Sequence, residues 1–424
     1  MLKVNKFFTL IVLISLFFPY VGFVSGIDVQ PLFVFFLLPS VFLALSVSVP
    51  LKATLVFLLS IFTLILYGLV FGYSVTSKFI LTYLFAVTTV YFIYIYIKNY
   101  NIDIGLKFVF FVLSCYIGVG LVQLFFMPEF LAGLVHRDSA VVHILKESGR
   151  GARSLTGEPS HLGKVITLMN VLMLYIIMKE NSYGFSSRLN MSFVASFLLL
   201  ALSGLVARSA YAFAVHLSVV LFFFVSVMKA KTVIRIISSI SLMFIFFILL
   251  HLFDVMSGTR IEAMFLLAFN NPEALLQQGA ARRVFNIPLS LNNLRYFGIF
   301  GSGERESVYN AVLWTPIGDL SYFANYRNLG GLIEFVMRLG VFSFPFLLVF
   351  LLFSIRVLRL NSFSDLFGYS GFGFFVLYSF LITMVQDGPF VLPIGWFVFI
   401  YIVLDSDRER CGLPRNSGHL IKMN

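Results

Sequence analysis

Charge is scarce in this chain. Of its 424 residues only 12% are Asp, Glu, Lys or Arg, about half the share found in soluble domains. That excludes a cytosolic globule, and the wealth of aromatics excludes a disordered chain. Cysteine is scarcer still. Cys115 sits in an apolar run and Cys411 near the C-terminus, and two cysteines make neither a disulfide framework nor a zinc site. The six histidines follow no metal-ligand spacing, so no metal and no cofactor is expected. Nucleophile elbows, Walker loops and zinc-protease motifs do not occur. Basic patches interleaved with aromatics are missing too, which argues against nucleic acid as a partner. What the chain has is hydrocarbon: 60% hydrophobic residues, 53 phenylalanines and a mean hydropathy of +0.97. The expected fold class is all-α, a polytopic transmembrane helix bundle forming a single integral membrane domain over 1–424.

About 20 apolar residues cross a bilayer core. Segments of this kind lie near 7–24, 29–49, 53–73, 79–97, 106–127, 162–178, 191–206, 209–228, 236–253, 340–355, 371–386 and 389–404, about 12 spans. Their apolar runs are continuous rather than alternating, which excludes a barrel. Lys3 and Lys6 precede the first span, the pattern of a retained signal anchor with a cytoplasmic N-terminus. Twelve spans then leave both termini cytoplasmic, with a tail over 405–424. The charges give an independent test. Segments assigned to the cytoplasm hold 16 Lys+Arg against 6 Asp+Glu, and exterior segments hold 14 against 13. Most extramembrane mass falls in two exterior loops, about 128–161 and 254–339, which contain short interfacial helices.

The exterior cations are mainly arginines, eleven against three lysines, whereas the cytoplasmic set is seven against nine. Guanidinium is weakly hydrated and grips phosphate in a bidentate way; singly, each arginine is also able to pair with a carboxylate or a headgroup. The first loop reads Ser148-Gly149-Arg150-Gly151-Ala152-Arg153-Ser154-Leu155-Thr156-Gly157-Glu158-Pro159-Ser160-His161-Leu162-Gly163 and enters a span. Pro159 suits a first helical turn. Glu158 then stands at the helix N-terminus, where the dipole favours a carboxylate. It serves either as a cap or as a proton acceptor beside Arg150 and Arg153. Arg208, in Ser203-Gly204-Leu205-Val206-Ala207-Arg208-Ser209, lies between two spans with almost no loop. It requires a partner there, or snorkels to headgroups. In the second loop Asn271-Pro272-Glu273 marks a helix start. Arg282 and Arg283 follow, then a Gly298-Ile299-Phe300-Gly301-Ser302-Gly303 turn. Such a turn is either a plain loop or an approach for an anion.

The order of these pieces resembles bacterial O-antigen polymerases of the Wzy type, within the wider O-antigen ligase-like superfamily. The resemblance rests on four motifs between about 148 and 345. They are the Gly-Glu-Pro-Ser string, the Ser-Gly-…-Arg hairpin, the long loop with Ala-Arg-Arg and Gly-x-x-Gly-x-Gly, and Asn-Leu-Gly-Gly-Leu-Ile-Glu-Phe-Val-Met-Arg-Leu-Gly at 328–340. It implies an enzyme of the bacterial inner membrane that uses neither metal nor nucleotide sugar. Such an enzyme transfers a growing glycan from undecaprenyl pyrophosphate to the next lipid-linked repeat unit. A flippase and a chain-length regulator are the implied protein partners. The resemblance makes Glu158 and Arg208 the catalytic candidates. Arg153, Arg282 and Arg283 become pyrophosphate ligands, with Arg150 and Arg327 of second rank.

Two rivals are weighed against it. Ligases of the superfamily usually carry a His-Asn pair before the late amphipathic segment, and this chain has Asn325-Tyr326-Arg327-Asn328 there. A flippase or transporter calls for paired repeats and polar groups near the bilayer midplane, whereas the polar residues here gather in two loops.

Overall fold

The computed structural model describes residues 6–22, 34–36, 38, 50–71, 77–100, 102–135, 151–182, 206, 266, 270, 298–301, 314–315, 318–319, 335–336, 338–360, 372–381, 392–410 and 421–423. Among them eight α-helices stand out: α1 (Lys6–Phe17), α2 (Leu51–Val70), α3 (Ser77–Tyr100), α4 (Leu106–Phe125), α5 (Pro159–Ser182), α6 (Phe344–Leu360), α7 (Phe372–Phe380) and α8 (Pro393–Arg410). Proline opens α5 and α8, at a position whose missing N–H costs nothing. Among the described residues, five helical stretches are long and apolar enough to cross a membrane: Leu51–Val70, Ile80–Tyr100, Leu106–Phe125, His161–Lys179 and Gly340–Arg359. The last joins a 3-10 turn, Gly340–Ser343, to α6. The expected spans at 29–49, 191–206, 209–228 and 236–253 lie outside the described residues except for isolated positions. α1 stops at Phe17, earlier than the expected 24. The chain turns there, and the Gly22 N–H donates to the Leu134 carbonyl at 3.1 Å.

α5 is the centre of the bundle, buried along 94% of its span. It packs on α4, α8 and α7, and α8 packs in turn on α3, α1, α7 and α6. Aromatic rings fill the layer between α6, α7 and α8. Phe380 stacks on Phe399 with centroids 4.4 Å apart, and Trp396 meets Phe380 and Phe346 edge-on at 4.9 and 5.5 Å. Such offset and edge contacts supply attraction that hydrocarbon surroundings do not.

Beside the helices, the described residues include four short strands in two small sheets. β1 (Ile102–Ile104) pairs in parallel with β4 (Ile421–Met423), Ile102 opposite Ile421. β2 (Trp314–Thr315) pairs antiparallel with β3 (Gly318–Asp319). Ile102-Asp103-Ile104 and Ile421-Lys422-Met423 both alternate apolar and polar, the period of a half-buried strand, and Ile102 and Ile104 are buried. The C-terminal segment is thereby tied to the α3–α4 link, and α8 itself runs on to Arg410.

Hydrogen bonds sort the helix ends into two groups. At one end Arg408 donates to the Ile97 and Lys98 carbonyls at 2.9 and 3.0 Å. Lys179 of α5 pairs there with Asp405 of α8, and the Tyr175 hydroxyl donates to the same carboxylate at 2.9 Å. At the opposite end lie the C-termini of α2 and α4 and the N-termini of α5 and α6. There the Tyr67 hydroxyl donates to the Arg338 carbonyl at 2.8 Å.

Candidate functional site

The candidate site is built where the loop 151–158 enters α5. The Glu158 carbonyl accepts the His161 and Leu162 N–H groups at 3.0 and 3.1 Å, which starts the helix at Pro159. Just before it, the chain folds into a tight turn. The Thr156 N–H donates to the Arg153 carbonyl at 3.0 Å, and the Thr156 hydroxyl lies 2.6 Å from that carbonyl and 2.9 Å from the Glu158 carbonyl. Threonine and serine make such local turns by offering the backbone a second partner.

Ser154 sets the geometry of this turn. Its φ of 53° is in the left-handed region, which costs a residue with a side chain about 1–2 kcal/mol. Gln123 of α4 holds it there. The Gln123 Oε1 accepts the Ser154 N–H at 2.7 Å, and the Nε2 donates to the Ser154 carbonyl at 3.2 Å and to the Phe130 carbonyl at 2.8 Å. The Ser154 hydroxyl donates to the Tyr116 carbonyl at 2.6 Å. One side-chain amide thus satisfies three backbone groups. A buried loop needs that, since water is not there to do it.

The neighbour held by this clamp is Arg153, only 3% exposed. Glu158, half-buried, stands five residues on. Within α5, His161 stacks on Tyr20 with centroids 5.3 Å apart, and Lys164, one turn further, is 3% exposed. A dehydrated guanidinium, a buried ammonium and a carboxylate therefore share one helix entrance. Cations shielded from water bind anions more strongly than solvated ones do.

A second motif reaches this loop. The Ala152 N–H donates to the Val206 carbonyl at 2.9 Å. Gly120 of α4 faces Val206 so closely that a β-carbon on it would lie 2.2 Å from the valine Cγ1. Val206, two positions before Arg208 in the sequence, is thus bonded to the Arg153 loop.

Of the residues singled out in the sequence, Arg153 and Glu158 come together on one loop. Arg150, Arg208, Arg282, Arg283 and Arg327 lie outside the described residues, as do His136, His143 and the Asn271-Pro272-Glu273 helix start. The glycine turn at 298–301 presses its backbone on the start of the Gly340–Arg359 stretch. Gly301 (φ 82°) and Gly340 (φ 55°) meet so closely that a β-carbon on either would strike backbone within 2.5 Å. Among the described residues no three His, Cys, Asp or Glu side chains gather to hold a metal.

Sequence reasoning passed over Gln123, Lys164 and the fully buried Asn170. Gln123 and Asn170 are lone polar residues inside apolar runs, the pattern that makes an intramembrane polar residue a candidate for function. No protein-family model, curated protein or solved structure matches the chain.

Proposed function

We propose that this protein is a repeat-unit polymerase for O-antigen, capsule or exopolysaccharide, working at the outer face of a bacterial plasma membrane. One observation carries the reading: the hydrogen bond from Ala152 to Val206 joins the Arg153–Glu158 loop to the Ser-Gly-…-Arg motif, two positions before Arg208 in the sequence. Ala152 and Val206 are 54 residues apart in sequence, and they belong to two of the four motifs on which the resemblance to the polymerases rests.

The chemistry follows from the charges. The acceptor sugar hydroxyl attacks the anomeric carbon of the donor, the bond from that carbon to the pyrophosphate oxygen breaks, and the pyrophosphate leaves with the electron pair. The resemblance assigns stabilisation of that departing charge to Arg153 and Arg208, with Arg282 and Arg283, and in second rank to Arg150 and Arg327; a guanidinium shielded from water, as Arg153 is, suits that role. Glu158 accepts the hydroxyl proton, or fixes Arg153 in place. Undecaprenyl tails on both substrates explain why such a site belongs at the end of a membrane bundle.

The test is a gel of surface glycans from a deletion strain, its complemented partner and a strain carrying Arg208→Ala. The expected result is a ladder that collapses to a single repeat unit in the deletion and in Arg208→Ala, with the variant still present in membranes. Long chains in the deletion strain refute the proposal. Glycan missing from lipid A-core, with polymer accumulating on the carrier lipid, assigns the chain as a ligase instead.

A further inference from the structure

The middle of α5 carries a polar group where the centre of a bundle is otherwise hydrocarbon. Asn170 is the midpoint of the His161–Lys179 stretch and is fully buried. Neither its Oδ1 nor its Nδ2 has a hydrogen-bond partner among the described residues. A carboxamide offers two donors and an acceptor, and leaving them unmet at that depth is expensive. Thr167, also fully buried, stands one turn nearer the helix entrance. Its hydroxyl donates to the Gly163 carbonyl at 2.8 Å, which leaves lone pairs on Oγ1 as acceptors. Residues three apart are neighbours on a helix face, with Cβ atoms roughly 5–6 Å apart. That is about the span of two hydrogen bonds through one oxygen atom. Lys164, 3% exposed, is three positions nearer still to the Arg153 loop. Positions 164, 167 and 170 therefore follow one side of α5 from its entrance to its midpoint.

We propose that Asn170 and Thr167 bind water inside the bundle, at the inner end of a hydrated track that opens at Lys164. The occupant is water for three reasons. Asn170 lies about 14 Å along the helix from His161 at 1.5 Å per residue, too deep for a lipid headgroup. The site needs a partner that both donates and accepts, and the amide with the hydroxyl supplies the polar contacts that a buried water requires. A hard cation needs more oxygen ligands than these two side chains provide. The central helix of the bundle thus carries water to mid-span along a single polar seam.

Met173, fully buried and one turn inward of Asn170, is the reporter. The full-length protein in nanodiscs receives a millisecond X-ray pulse, which converts water to hydroxyl radical in place, and methionine oxidation is read by mass spectrometry. Met127, 56% exposed, gives the dose. Met173 should be oxidised despite its burial. In Asn170→Leu its oxidation relative to Met127 should fall at least about tenfold, the occupancy lost with two net hydrogen bonds. In Thr167→Val, which removes one, the fall should be about threefold. When water of a heavy oxygen isotope is mixed in before the pulse, that isotope should enter Met173. An unoxidised Met173 overturns the proposal, because the amide is then dry or met by protein. Oxidation that survives both substitutions also overturns it, since helix breathing then admits the radical. Heavy oxygen confined to Met127 overturns the track and leaves the water trapped.

Discussion

Gln123→Leu is the most informative single change in this protein. Leucine keeps most of the volume and removes the amide that bonds the Ser154 N–H, the Ser154 carbonyl and the Phe130 carbonyl. An unsatisfied buried group costs about 1–3 kcal/mol. Two of these three are carbonyls, the less demanding kind, so about 3–5 kcal/mol is a fair sum. The left-handed Ser154 adds about 1–2 kcal/mol to the drive for release, offset in part by the bonds that remain. Its hydroxyl bond to Tyr116 contributes about 1 kcal/mol. The penalty falls on the loop 151–158 and on the turn at Phe130, and not on the helices, since α4 ends before that turn and α5 begins after the loop. Local opening is therefore expected without global unfolding. Hydrogen–deuterium exchange of peptides covering 151–158 is the assay. Exchange should be at least about 100-fold faster in the variant, the ratio that about 3 kcal/mol gives, while peptides from α5 and α8 keep their protection. Surface glycan should shorten at the same time. Unchanged protection of 151–158 would refute the claim that Gln123 holds the Arg153 loop.

Two further predictions follow from packing. Gly120→Ala should lower the melting temperature in detergent and shorten the glycan, because its β-carbon meets a valine that is stiff at χ1 and overpacking costs about 1–3 kcal/mol. Val206→Ala should restore both, and Gly118→Ala, with open space around it, should be neutral; a Gly120→Ala protein of wild-type stability contradicts the close packing. Lys179→Met alone should destabilise by about 3–5 kcal/mol, because it leaves Asp405 buried without its cation, while Lys179→Met with Asp405→Leu should recover most of the loss. Thermal unfolding monitored by circular dichroism decides this, and a single variant as stable as wild type would show that the pair is solvated.

The parts of the fold most legible in the sequence were those governed by local rules. Helix α5 starts at Pro159 because proline suits N1. The stretches at 53–73, 79–97 and 106–127 are helices to within a few residues because continuous apolar runs leave the backbone no other partner. The sheets were missed because strands of two or three residues carry almost no periodic signal, and the β1–β4 pair joins positions more than 300 residues apart. α1 was drawn too long for a related reason. Hydropathy does not register the turn after Phe17, which a hydrogen bond from Gly22 to the distant Leu134 fixes.

The candidate site divides along the same line. Composition and charge scarcity by themselves determined that this chain is a bundle of apolar helices, since transfer energy sums over residues regardless of their partners. The cap at Glu158 and the arginine-rich loops were also visible, because capping and charge type are local properties. Only the tertiary structure revealed that Gln123 holds Ser154 in a left-handed turn, that Arg153 is shut away from water, and that Val206 is bonded to Ala152. Each of these depends on which helix end meets which. The hydrophobic pattern cannot encode that choice, because every apolar face suits hydrocarbon equally well, and single polar side chains and close glycine contacts decide it.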